Sequence, residues 1–178
     1  MDKCFLDVDG VLADFSLGVS KLFEMPGFVP SRWNFFDEMN LSEDDFWAKV
    51  DAVGDDFWAD LEPTPEFPDI ISLVEEAFGV ERVCLLTSPN ANPRCLAGKL
   101  KWIKQHLPQY SRQYLMGPAK HFVGDARSLL IDDSDANVEK FLARGGKTIL
   151  VPRKWNKNAG LNVVDYIRSE LARMRCAT

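Results

Sequence analysis

Five short apolar runs punctuate this chain: Cys4–Val8, Val83–Leu86, Tyr114–Met116, Ser128–Ile131 and Thr148–Val151. Between them, apolar residues recur at helical spacing. An uninterrupted apolar run describes a strand covered on both faces, whereas a strand with one wet face would alternate. The intervening faces are Phe15/Val19/Leu22/Phe23, ended by Pro26-Gly27, then Phe67/Ile70/Ile71/Val74/Ala77/Phe78, ended by Gly79. Leu96/Leu100/Ile103/Leu107, Val138/Phe141/Leu142 and Val164/Ile167/Leu171/Met174 follow. Thr64 is expected to cap the second helix with Pro65 at its first position, and Asn92-Pro93 to start the third. Strand–helix alternation of this kind predicts an α/β fold.

The expected architecture is a doubly wound, Rossmann-like parallel sheet with helices on both faces. Right-handed crossovers bring the C-terminal ends of successive strands to one edge, where ligands bind. Asp7 and Asp9, Thr87 and Ser88, and Asp132 and Asp133 each stand at such an end. Asp7 and Asp9 are two apart on extended chain and so share a face, and Gly10 lets the backbone turn just beyond them. Each aspartate taken singly could be a helix cap or a solvated turn residue. Four carboxylates in one mouth are mutually repulsive and resist ionising unless a cation joins them. Oxygen donors without histidine or cysteine select a hard ion, Mg²⁺ foremost.

One stretch departs from the alternation. Eight of the chain's 20 aromatic residues (12 Phe, 5 Trp, 3 Tyr) fall between Phe28 and Trp58, with no strand pattern. Ser42 followed by Asp45 resembles a capping box that opens a helix of about 10 residues. This is expected to be a small helical cap inserted after the first strand–helix unit, giving a core of 1–15 and 61–178 and a cap of 16–60. Most of the eight rings are expected to form the cap's own core, with two or three facing the substrate.

The chain has 178 residues and a net charge of −6. Such an acidic surface disfavours a nucleic-acid polymer or an anionic membrane as partner. No run approaches the roughly 20 apolar residues of a membrane span. Cys4, Cys84, Cys95 and Cys176 are scattered without a C-x-x-C pair, as expected of reduced core thiols in a cytoplasmic protein. A homodimer is compatible with the sequence.

A phosphomonoester bound in the mouth would meet the groups that phosphoryl transfer requires. Asp7 can attack phosphorus to form an aspartyl-phosphate. Asp9 can protonate the leaving alcohol and then deprotonate a water. Thr87 and the backbone around Ser88 can hold phosphate oxygens, and Lys120, otherwise an ordinary surface lysine, is placed to complete the cradle.

These elements, Asp7-Val8-Asp9-Gly10-Val11, Leu85-Leu86-Thr87-Ser88, Lys120 and Leu130-Ile131-Asp132-Asp133, resemble the four signatures of the haloacid dehalogenase superfamily of phosphohydrolases. A closer resemblance is to the 5'(3')-deoxyribonucleotidases. It rests on Asp7 through Phe15, on Phe57-Trp58-Ala59-Asp60-Leu61-Glu62-Pro63, and on Thr87-Ser88-Pro89, and runs over about residues 4 to 151. The resemblance implies Asp7 as nucleophile and Asp9 as acid/base. It implies Mg²⁺ on Asp7, the main-chain carbonyl of Asp9 and Asp132, and phosphate on Thr87, Ser88 and Lys120. Phe15, Trp47 and Trp58 would line a pocket for a small nucleotide substrate. Two departures touch substrate contacts. Asn90-Ala91-Asn92 stands where the family commonly has a basic residue, with Arg94 and Lys99 the candidates to replace it. Ser134 stands where the family has an arginine. The competing readings are a phosphatase of another small ester, such as a sugar phosphate, a non-catalytic nucleotide-binding module, and, less favoured by the acidic charge, a polynucleotide end-phosphatase.

Overall fold

The computed structural model describes residues 1–176, apart from the side chain of Cys176, whose thiol lies outside the described residues. Five strands form one sheet: β1 (Lys3–Leu6), β2 (Val83–Thr87), β3 (Tyr114–Met116), β4 (Ser128–Asp132) and β5 (Lys147–Leu150). Their order is β3-β2-β1-β4-β5 and every pairing is parallel. The winding reverses beside β1, so the switch point of the sheet lies where β1 ends. Leu6 pairs with Leu85 on one side and Ile131 on the other. Asp7, Thr87 and Asp132 therefore reach the same edge.

The uninterrupted apolar runs follow from burial on both faces. Cys4, Leu6, Leu85, Leu129 and Ile131 belong to the main core. Their alternates Phe5, Leu86 and Leu130 form a smaller core with Phe141. Helices α1 (Phe15–Leu22), α2 (Glu43–Val53), α3 (Asp55–Ala59), α4 (Phe67–Phe78), α5 (Pro93–His106), α6 (Asp135–Ala143) and α7 (Val163–Cys176) complete the chain. The main core draws on α1 to α5 and α7, and the second face on α6 alone among these helices. Among the described residues, no helix is long and apolar enough to cross a membrane.

Asp14 caps α1, its side chain accepting from the Leu17 N–H. The helix stops at Leu22, before Pro26, and Glu24 takes a left-handed φ of 54°. Ser42 caps α2 through the Asp45 N–H at 3.1 Å, as its sequence predicts. Between α1 and α4 the chain departs and returns along paired passages. The Asp14 N–H donates to the Glu62 carbonyl (2.7 Å), and the Thr64 N–H to the Leu12 carbonyl (2.8 Å).

Four details differ from the sequence reading. Thr64 does not cap α4; its hydroxyl donates to the Val11 carbonyl at 3.0 Å, and the helix opens at Phe67 without a side-chain cap. The buried face of α5 is Cys95, Gly98, Lys99, Trp102 and Ile103, while Leu96 is exposed. Leu142 is exposed too, because Val138 and Phe141 suffice to cover their side of the sheet. On α7, Val163 rather than Val164 starts the buried stripe. Cys4, Cys84 and Cys95 are free thiols, and burial pushes Cys95 up to about 11.

Candidate active site

The end of β1 sets the geometry. After Leu6 the chain winds into a tight turn, with the N–H groups of Leu12 and Ala13 both donating to the Val8 carbonyl (2.7 and 2.8 Å). Gly10 sits in it at φ +71°. A Cβ there would lie 2.2 Å from Asp133 Oδ2. Only glycine allows the turn to approach the β4 carboxylates this closely.

Asp7, Asp132 and Asp133 are all buried, and each offers a carboxylate oxygen within 4.8 Å of the others. Lys120, 2% exposed, reaches in from a short 3₁₀ turn (Lys120–Val123). Its ammonium lies 2.6 Å from Asp7 Oδ1 and 2.7 Å from Asp132 Oδ2. Asp132 also accepts from the Ser134 N–H (2.9 Å) and from Asn137 Nδ2 (3.2 Å to each oxygen). Burial pushes the Asp7 carboxyl up to about 6, with Lys120 opposing and the Asp132 charge assisting. Burial, joined by the Asp132 and Asp7 charges, drives Asp133 well above the usual carboxylate range. Burial works to lower Lys120 as well, but the Asp7 and Asp132 charges outweigh it and hold the ammonium above its ordinary value. One cation thus partly neutralises three buried acids, and a second would relieve the rest.

The Asp9 carboxylate stands apart from this cluster. Its Oδ2 accepts from Lys99 and, at 3.2 Å, from the Thr87 hydroxyl. Its Oδ1 is, among the described residues, the one buried side-chain polar atom with no hydrogen-bond partner. Lys99 is 1% exposed, donates also to Thr87 Oγ1 (3.0 Å) and lies 4.7 Å above the Trp58 ring. Burial brings it down to about 7, with the Asp7 charge opposing.

A cavity of about 410 Å³ opens over these groups, within the range of small-molecule sites. Asp7, Asp9, Lys120 and Asp133 line one part of it; Ser88, Asn90, Asn137, Trp155 and an aromatic wall line the rest. Phe15 stacks on Trp58 with centroids 5.7 Å apart, and Trp58 on Trp47 at 6.5 Å. Five of the eight clustered rings, Trp33, Phe35, Phe36, Trp47 and Trp58, line the cavity. That exceeds the two or three expected, because rings such as Phe35 and Trp58 are at once buried in the core and exposed to the cavity along one edge.

Asp7, Asp9, Ser88, Lys120, Phe15, Trp47 and Trp58 are thus brought to one cavity, while Thr87 and Asp132 stand directly behind it. Arg94 is not brought there; it pairs with Asp55 at 2.9 Å on the surface. Lys99 takes the inward place. A signal for it exists in the spacing Cys95, Lys99, Trp102, Ile103, which is as regular as the leucine stripe. Trp155 and Asn156, in the loop after β5, carry no such signal.

The comparisons with known proteins agree with this geometry. The family model of the 5' nucleotidase, deoxy (pyrimidine), cytosolic type C protein matches residues 3–165. The human cytosolic-type 5'(3')-deoxyribonucleotidase is 33% identical over 147 residues, 75% of this chain and 71% of that protein. A HAD family hydrolase from Deinococcus radiodurans R1, solved with phosphate and sodium, superposes with a TM-score of 0.54 at 14% identity, covering 99% of this chain and 94% of its own. An L-2-haloacid dehalogenase gives 0.54 at 14% identity over 97% and 99%. At such identities the two structures speak for the fold, while the family match and the human relative speak for the chemistry. The chain belongs to the family of the 5' nucleotidase, deoxy (pyrimidine), cytosolic type C protein, and is a phosphoric monoester hydrolase.

Proposed function

We propose that this hydrolase removes phosphate from nucleoside monophosphates, deoxynucleotides among them, in a Mg²⁺-dependent reaction through an aspartyl-phosphate on Asp7. The observation that carries the reading is the cavity itself. Asp7, Asp9 and Lys120 line one part of it, and Phe15, Trp33, Phe35, Phe36, Trp47 and Trp58 form an aromatic wall over the rest.

The donor set fits a hard divalent ion. Asp7, Asp132 and Asp133 offer only oxygen, at mutual distances a single ion can span, and the main-chain carbonyl of Asp9 would add to them. When bound, Mg²⁺ supplies positive charge against these carboxylates and the phosphate oxygens. The remaining work belongs to the chain. An Asp7 oxygen bonds to phosphorus as the bond to the leaving oxygen breaks. Asp9 gives that oxygen its proton. Asp9 then takes a proton from the water that attacks the phosphorus, which releases phosphate and restores Asp7. The lack of any protein partner on Asp9 Oδ1 suits an atom that exchanges its proton with substrate and water. Lys120 and Ser88 would hold phosphate oxygens, with Thr87 and Lys99 fixing Asp9 from behind. The aromatic segment, read as a cap over 16–60, supplies the surface on which a nucleobase stacks, with Phe15, Trp47 and Trp58 as its main contacts. The cytosolic type of the human relative supports a cytoplasmic setting.

Phosphate release from a panel of nucleoside monophosphates and sugar phosphates tests the substrate; equal kcat/KM across the panel would remove the nucleotide. Asp7→Asn is expected to abolish turnover while nucleotide still binds. Unchanged turnover would refute Asp7 as the nucleophile.

A further inference from the structure

The loop that follows β5 grips the acidic site at two points. Arg153 Nε donates to the Gly10 carbonyl at 2.5 Å and so ties down the turn that carries Asp9. Asn156 Nδ2 donates to the Asp133 carbonyl (2.9 Å) and the Val151 carbonyl (2.8 Å), fixing the loop against β4 and β5. Between them stands Trp155.

Asp133 is the carboxylate of the cluster that Lys120 does not pair with. It is 3% exposed. Among the described residues its carboxylate accepts one hydrogen bond, from Trp155 Nε1 to Oδ2 at 2.9 Å. A side chain on Gly10 would collide with this same oxygen, and its Cβ would lie 3.3 Å from the indole ring. Oδ2 is therefore held between a bare stretch of backbone and one N–H, and the carboxylate has little freedom to rotate. The donor is neutral, which matters. A lysine or arginine here would orient Asp133 equally well but would cancel the charge that attracts a cation. An indole N–H orients it without adding a positive charge that competes with a cation.

We infer that Trp155 is a positioning residue for the metal site: its indole N–H holds the Asp133 carboxylate in the orientation in which it joins Asp7 and Asp132. This rests on the reading of those three acids as the Mg²⁺ site, and the test separates the two.

Mg²⁺ binding to the substrate-free protein is measured by calorimetry in the wild type, Asp132→Asn and Trp155→Phe. The phenylalanine keeps a ring and loses the donor. Asp132→Asn is expected to abolish measurable binding, and Trp155→Phe to weaken it about tenfold, as outer-shell partners of metal ligands typically do. Unchanged affinity in Asp132→Asn would overturn the metal reading. Loss there, with Trp155→Phe binding as tightly as wild type, would overturn the positioning role alone. In an Asp133→Asn background, Trp155→Phe is expected to cause no further loss; independent losses would mean that the ring acts by packing. A measurement on the unaltered protein covers the case of a variant that does not fold. The Trp155 indole ¹H–¹⁵N resonance is expected to move on Mg²⁺ saturation, and an unmoved resonance overturns the inference.

Discussion

Replacing Lys120 by methionine tests the electrostatic core of the site. The side chain is almost fully buried and of similar length, so the substitution removes charge while leaving little void. It strips Asp7 and Asp132 of the ammonium that lies 2.6 and 2.7 Å from them. Breaking a buried ion pair by removing one partner costs about 3–5 kcal/mol. For a chain of this size each kcal/mol moves the melting temperature by about 2–4 °C. The metal-free Lys120→Met protein is therefore expected to melt roughly 6–20 °C below wild type. Mg²⁺ should narrow that gap, because the stripped carboxylates gain most from a new cation, and a ligand at about 100 times its Kd adds about 2.7 kcal/mol. Turnover is expected to fall by about 10²–10³ even at saturating Mg²⁺, the usual loss for one hydrogen-bond donor aimed at developing charge. Thermal melts in chelator and in Mg²⁺, with phosphate-release kinetics, read all three effects. A chelated variant that melts with the wild type would refute the argument, for it would mean that the acids are already neutral or hydrated without the lysine.

Other perturbations follow from particular contacts. A Cβ at Gly98 would lie 2.2 Å from the Asp55 carbonyl and 2.7 Å from Trp58 Cβ. Gly98→Ala should therefore cost about 1–3 kcal/mol in a thermal melt; an unshifted melt would show that α3 does not press on α5. Trp47→Ala is expected to raise KM for nucleotides about 5- to 150-fold, the equivalent of one lost base–ring stack. An equal rise for a phosphate ester without a ring would refute stacking. Arg94→Ala is expected to leave KM within about twofold, as surface substitutions away from a site usually do. A large rise would restore Arg94 as the basic residue that contacts substrate.

The sheet and its acidic mouth were legible because two signals coincide there. Cys4–Leu6 and Leu129–Ile131 are unbroken apolar runs, and each leads directly into acids, Asp7 and Asp9 in one case and Asp132 and Asp133 in the other. The helices were legible in number but not always in orientation. On α5 the eye follows Leu96 and Leu100, since lysine normally faces water. Lys99 faces inward because Asp9 and Thr87 wait for it at the sheet edge, a reason that exists only once β1, β2 and α5 have been assembled. Thr64 misled for a similar cause. A threonine before proline reads as a cap, but its hydroxyl donates instead to the Val11 carbonyl, 53 residues earlier. Trp155 lay beyond any local pattern, since its partner Asp133 is supplied by the neighbouring strand.

The aromatic segment is fastened unevenly. Its later half is bolted to the sheet body: Asp55 holds Arg94 and Lys101, Asn90 donates to Asp51, and α3 presses on Gly98. Its earlier half, from Glu24 to Asn40, is bracketed by two residues with φ of 54° and is held instead by packing, with Phe35 and Met39 buried in the main core. Trp33 and Arg32, exposed to solvent, and Trp58, buried, line the same cavity, so the wall nearest solvent and the wall nearest the carboxylates and lysines are carried by differently fastened parts of one segment.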